Sequence, residues 1–248
     1  SASGESVRSG RLSVGFAPGG GRRRSFQHPG GAAPVITGNM KFDVAVPEQV
    51  QALRELWRIR RPVLLAASTR EGEEALILDA YSPYASKFLL LLVPRHPQRF
   101  EHVAQLLERS GLPWQRRSAN TALGDSQIIL DDSMGEMFAY YAAADLVIMG
   151  GSLLAFGGQN LIEACVMGVP VVLGPHTENF AQVADDAITA GAALRVQDAK
   201  DALAQAANLM EDVVKREAMS RAGREFAASH RGAVEKTLRH ITTQLLRE

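Results

Sequence analysis

A single cysteine, Cys165, stands among 248 residues. One thiol closes no internal disulfide, which excludes a disulfide scaffold and fits a reducing compartment. On the apolar side of a predicted helix, Cys165 reads as a small buried hydrophobe. No run approaches the ~18 apolar residues of a membrane span, so no membrane anchor is expected. The N-terminus also lacks the apolar stretch of a secretory leader. Neither sign of charge is in excess: 27 Lys and Arg face 27 Asp and Glu, and nothing global suggests a nucleic-acid partner. No Cys/His group has metal-ligand spacing, so neither a metal nor another cofactor is expected. No Gly-x-Gly-x-x-Gly follows the first predicted strand, where Ser68-Thr69-Arg70 stands instead; this disfavours a nicotinamide-dependent oxidoreductase.

The chain does have apolar residues in quantity, 46% of the total, and a length that suits roughly one or two domains. Residues 1–33 differ from the rest. They hold eight of the 22 glycines, and residues 1–30 carry five arginines against one glutamate. Such a composition does not offset the entropy of ordering, so a disordered leader or non-native segment is expected there. From Pro34 the pattern alternates between α and β. Apolar runs at 62–67, 88–93, 127–130, 145–149, 170–173 and 192–196 read as strands. A helix opens at Pro47-Glu48 with Val50, Leu53, Leu56 and Trp57 on one face. Another runs from Pro97 to Ser110 and ends on a left-handed Gly111. Ser68/Glu71 and Ser133/Glu136 have capping-box spacing. Continuous apolar strands between helices imply a Rossmann-like parallel sheet with helices on both faces. Ligands of such sheets bind at the carboxyl ends of strands. Polar segments cluster at those ends: 68–70, 94–96, 133–136, 150–152 and 174–176.

The richest segment is Met149 to Ala164. A strand enters Gly150-Gly151, a second pair Gly157-Gly158 follows, and Asn160 with Glu163 has N-cap spacing. Glycines permit close approach to backbone, helix starts favour phosphate, and a carboxylate accepts two ribose hydroxyls. The segment therefore reads as a nucleotide site, or as a glycine turn joining a strand to a helix.

Taken together, Val35-Ile36-Thr37-Gly38-Asn39-Met40-Lys41-Phe42-Asp43, Ser68-Thr69-Arg70-Glu71-Gly72-Glu73, Leu92-Val93-Pro94-Arg95-His96-Pro97-Gln98-Arg99-Phe100, Asp132-Ser133-Met134-Gly135-Glu136-Met137, Gly150-Gly151-Ser152, Gly157-Gly158-Gln159-Asn160-Leu161-Ile162-Glu163 and Gly174-Pro175-His176-Thr177-Glu178-Asn179-Phe180 resemble, in order, the 3-deoxy-D-manno-octulosonic acid (Kdo) transferases. The resemblance spans about residues 34–248 and implies the C-terminal, donor-binding half of a GT-B glycosyltransferase. That half would bind CMP-Kdo and serve transfer of Kdo to lipid A precursor, a step of lipopolysaccharide core biosynthesis. The family works at the cytoplasmic face of the inner membrane. Its acceptor-binding half, with the glutamate that acts as general base, precedes the hinge and finds no match in residues 1–33. The resemblance therefore implies a chain inactive alone, which meets the acceptor through the missing half.

Residue by residue, the resemblance implies Arg95 on the CMP phosphate, with Pro94 fixing the loop beside cytosine. Met134, Gly135 and Glu136 would contact cytidine, although Glu136 equally suits a cap with Ser133. Asn160, Leu161 and Ile162 would meet ribose and phosphate, and Glu163 the ribose hydroxyls. Ser68, Thr69, Gly151 and Ser152 line the same edge. Lys41 would stabilise charge in the transition state, as a cation beside a leaving CMP should. Two residues depart from the family pattern: Ser133 replaces a usual threonine, and Gln159 a usual histidine. The rival readings are a GT-B domain for a UDP- or GDP-sugar and a nucleotide-binding module without catalysis.

Overall fold

The computed structural model describes residues 39–245, apart from 49 and 51. The expected leader (1–33), and Val35 to Gly38 of the hinge motif, lie outside the described residues.

Among the described residues, seven strands form one sheet: β1 (Val63–Thr69), β2 (Leu89–Pro94), β3 (Trp114–Arg116), β4 (Ile128–Leu130), β5 (Leu146–Met149), β6 (Val171–Leu173) and β7 (Ala193–Arg195). Their order is β3-β4-β2-β1-β5-β6-β7. Every pairing is parallel, with Leu64 of β1 opposite Leu90 of β2 and Leu146 of β5. Among the described residues, nine α-helices accompany it: α1 (Leu53–Leu56), α2 (Glu73–Tyr81), α3 (Phe100–Ser110), α4 (Met137–Ala143), α5 (Ile162–Met167), α6 (Ala181–Thr189), α7 (Ala199–Glu211), α8 (Val213–Ser229) and α9 (Ala233–Leu245).

Side chains alternate between faces along each strand, which splits the core in two. Leu65, Leu91, Val147 and Val171 pack with residues of α1, α4, α5, α6 and α8. Leu64, Leu90, Ile148 and Val172 pack with α2, α3 and α7. Burial on both faces is why the strands are continuously apolar. Cys165 lies inside the first of these cores, and burial pushes its thiol up to about 12. A thiol so placed is no nucleophile at neutral pH.

The sequence pattern misses β3, whose Trp-Gln-Arg stretch is short and only half-buried at the sheet edge. The helix expected from Pro47 contracts to the single turn of α1, where Leu53 and Trp57 are buried and Leu56 is exposed. The 97–110 helix begins with a 3-10 turn at Pro97–Arg99, and Gly111 closes it at φ 70° as expected. The capping boxes do not form. Ser68 belongs to β1, at a register shift with φ 54°, and α2 begins after Gly72. Ser133 and Glu136 instead bond side chain to side chain at 2.7 Å.

The sheet reverses its winding between β1 and β5, the switch point at which parallel sheets of this kind receive ligands. The hinge residues dock near the C-terminal helices. Asn39 accepts from the backbone of Lys41 at 3.0 Å, and Phe42 packs on Phe226 and His230 with centroids 5.4 and 4.7 Å apart. Asp43 accepts from Gly232 at 2.6 Å and Val234 at 2.7 Å. These bonds hold its carboxyl below the usual range.

Candidate functional site

Parallel strands deliver their outgoing loops to one edge, so the polar segments meet there. Much of what the sequence offers at that edge is engaged in holding the loops together. Glu73 is the centre of this frame. It is fully buried and accepts from four backbone amides: Arg70 at 2.8 Å, Gly151 at 2.7 Å, Leu153 at 2.9 Å and Leu154 at 3.4 Å. An internal carboxylate thus fills the anion nest that the first double glycine makes. Glu74, also buried, takes a two-pronged pair from Arg99 (2.5 and 3.0 Å) and the hydroxyl of Thr69 at 2.7 Å. That pair ties the loop after β1 to the turn after β2.

The glycines serve the same frame. A Cβ on Gly150 would lie 2.3 Å from the carbonyl oxygen of Ser68, and one on Gly174 would lie 2.1 Å from that of Ser152. Backbone crosses backbone at both places, and only glycine fits. Ser152 is fully buried; its hydroxyl donates to the Met149 carbonyl and accepts from Gly174 at 2.8 Å. Of the second-rank candidates, Thr69, Gly151 and Ser152 thus spend their polar groups inside the protein. The motif residues Glu73 and Glu74 carry the frame, a role the sequence reading did not assign. Their signal was two adjacent acids at the start of a helix that buries one face.

The loop after β4 is braced from below. Asp131 accepts from Ser133 Oγ at 2.7 Å and from Tyr140 at 2.6 Å. Glu136 lies 2.7 and 3.0 Å from the same two hydroxyls, each of which shares its one proton between the two carboxylates, and accepts from Arg117 at 2.9 Å. Burial raises the Asp131 carboxyl above its usual range. Burial acts the same way on Glu136, but hydrogen bonds from Ser133 and Arg117 outweigh it and hold that group low. The tip is left open: Met134 is 63% exposed, and Gly135, at φ 85°, faces empty space. The Glu136 side chain is committed to the brace, so Met134 and Gly135 offer the free surface.

Arg95 and Glu163 contrast with these engaged groups. Arg95 follows buried Pro94, and its backbone donates to Thr69 at 3.0 Å. Its exposed guanidinium has no hydrogen-bond or ion-pair partner among the described residues. Glu163, on the first turn of α5, is half-buried and likewise accepts no hydrogen bond among them. Burial raises its carboxyl, and the charge of Arg95 opposes that rise. Asn160 caps nearby, accepting from Ile162 at 3.1 Å, but α5 starts after Leu161, and Glu163 does not return the bond. Leu161 and Ile162 are fully buried. An exposed cation and an unpaired carboxylate, electrostatically coupled at one sheet edge, can receive an anion and a diol together.

Lys41 is exposed, with Nζ 4.6 Å above the ring of Phe180. The adjacent Asn179 bonds to the loop after β5, donating from its backbone to Gly157 at 2.9 Å and from Nδ2 to Phe156 at 3.0 Å. His176 lies 3.4 Å from Glu178. Among the described residues, no three His, Cys, Asp or Glu side chains gather as a metal site, and no helix is long and apolar enough to cross a membrane.

Residues 113–226 match the family described as glycosyl transferases group 1. The 3-deoxy-D-manno-octulosonic acid transferase of Bordetella pertussis is 48% identical over 219 residues, covering 84% of this chain and 51% of that protein. Its counterpart in Haemophilus influenzae is 38% identical over 212 residues, covering 82% and 50%. Among solved structures, the C-terminal CMP-Kdo binding domain of WaaA from Acinetobacter baumannii superposes with a TM-score of 0.67 at 33% identity. The match covers 70% of this chain and 93% of that domain. The chain spans about half the length of the curated relatives it matches.

Proposed function

The chain belongs to the 3-deoxy-D-manno-octulosonic acid transferase family, and from that membership we propose that residues 34–248 are the donor-binding half of an enzyme that moves Kdo from CMP-Kdo to lipid A precursor. The observation that carries this reading is the Arg95–Glu163 pair. Glu73, Glu74 and Glu136 at that edge are already bonded, whereas among the described residues Glu163 lacks donors and Arg95 lacks acceptors. A nucleoside monophosphate supplies both: ribose hydroxyls donate to Glu163, and phosphate oxygens accept from the Arg95 fork.

In the proposed reaction a lipid A hydroxyl attacks the anomeric carbon of Kdo. The bond to the phosphate oxygen breaks, and CMP leaves with the electron pair. Arg95 neutralises the charge that grows on phosphate, and Lys41 adds positive charge from the hinge side. Pro94, Met134 and Gly135 flank the cytosine. The acceptor, and the base that takes the hydroxyl proton, belong to the other half of the relatives' length. The whole enzyme would work at the cytoplasmic face of the inner membrane.

Titration of the chain with CMP, UMP and ADP by calorimetry tests the reading, with CMP expected to bind best. A preference for UMP or ADP would assign the domain to another donor. Glu163→Gln separates ribose contact from a purely structural role. It should weaken CMP about tenfold, the scale of one charged hydrogen bond, and 2′-deoxy-CMP much less. Equal losses for the two ligands would remove Glu163 from the ribose.

A further inference from the structure

We propose that Arg70, seated on Phe156 where the loops after β1 and β5 meet, receives the carboxylate of the donor sugar. The inference rests on the donor reading above and extends it to the sugar. Kdo is an acid, so its CMP ester presents two anions, a phosphate and a carboxylate. Arg95, coupled to Glu163, serves the nucleotide end. With Lys41 beside the leaving group on the hinge side, the carboxylate calls for a further cation without an acidic partner of its own.

Arginines elsewhere along the edge are spent: Arg99 on Glu74, Arg117 on Glu136, and Arg195 on Asp185. Arg70 is not, since its side chain has neither hydrogen bond nor ion pair among the described residues. The nearby Glu73 directs its carboxylate to four backbone amides, one of them Arg70's own. The guanidinium carbon lies 4.7 Å from the centroid of Phe156. A cation held on a ring face keeps its edge N–H groups free, and those match a carboxylate in its own plane.

The surroundings fix this pose. The Arg70 stem crosses Gly151, where a Cβ would stand 3.5 Å from Cγ of Arg70 and 3.1 Å from Nε2 of Gln159. Gln159 thus flanks the same spot with a neutral amide donor. The Phe156 backbone is tied by Asn179 to the segment bearing Phe180, on which Lys41 rests. Two cations therefore sit on two rings whose segments are hydrogen-bonded to each other.

The test compares CMP with freshly prepared CMP-Kdo on the chain itself, for wild type, Arg70→Gln, Arg70→Lys and Phe156→Leu, with thermal unfolding as the folding control. Arg70→Gln should weaken CMP-Kdo about tenfold or more and leave CMP within about twofold, as loss of one charged contact predicts. Arg70→Lys should recover part of the loss, and Phe156→Leu should give a smaller loss confined to CMP-Kdo. An equal loss for both ligands would put Arg70 on the nucleotide, and no loss for either would put it outside the site; both overturn the inference. Wild type that binds neither ligand would overturn the donor reading, and this inference with it.

Discussion

Glu73→Ala should cost the domain about 3–5 kcal/mol of stability in urea or thermal unfolding, the scale of the most damaging single substitutions. The carboxylate receives four amides, and those of Gly151 and Leu153 are buried with it. Each buried donor left without a partner costs roughly 1–3 kcal/mol. Water admitted by the smaller side chain offsets part of that, which keeps the total below the simple sum. Glu73→Gln should rescue little, because its NH2 group would face amides that are themselves donors. A small domain is stable by about 5–15 kcal/mol in all, so the alanine variant should melt far earlier and lose the loop after β5 first. A loss below about 1 kcal/mol would mean that the glycine loop holds its shape without this carboxylate.

Arg95→Ala should have the opposite profile: CMP affinity lower by on the order of a hundredfold, from two charge-assisted bonds to phosphate, with the melting temperature nearly unchanged. The side chain is exposed and bonds to nothing among the described residues, and surface substitutions of that kind stay within about 0.5 kcal/mol. Arg95→Lys should restore only part of the affinity, since an ammonium is a point charge without the planar fork. Calorimetry beside a melting curve reads both quantities. CMP affinity unchanged in Arg95→Ala would take the phosphate away from this residue. A large fall in melting temperature would instead make Arg95 a structural group.

The paired effects reflect how the edge is built. Sequence reasoning treats its glycines and small polar residues alike, as surface for a nucleotide. In the fold they divide. Gly150 and Gly174 are glycine because another backbone passes at the position a Cβ would take. Thr69 and Ser152 bond to Glu74 and to the Met149 carbonyl, within the frame. Glu136 braces its own loop through Arg117, Ser133 and Tyr140. Glu163, which has the spacing of a helix cap, is instead left without a donor among the described residues. Cap and ligand contact share one sequence signature, and only the backbone path into α5 distinguishes them.

The sequence by itself determined the parallel sheet, the places of its main strands along the chain, the edge where the polar loops gather, and the family. Those follow from local period and motif order: a strand buried on both faces must be apolar throughout, and loops leaving parallel strands must share an edge. Tertiary structure alone decided which polar groups at that edge remain unpaired. Glu73 lies 78 residues from the Gly151 amide it binds, and Arg70 meets the ring of Phe156 on the loop after β5. A side chain's freedom to meet a ligand depends on what the fold brings to it from a distance, and no local pattern carries that information.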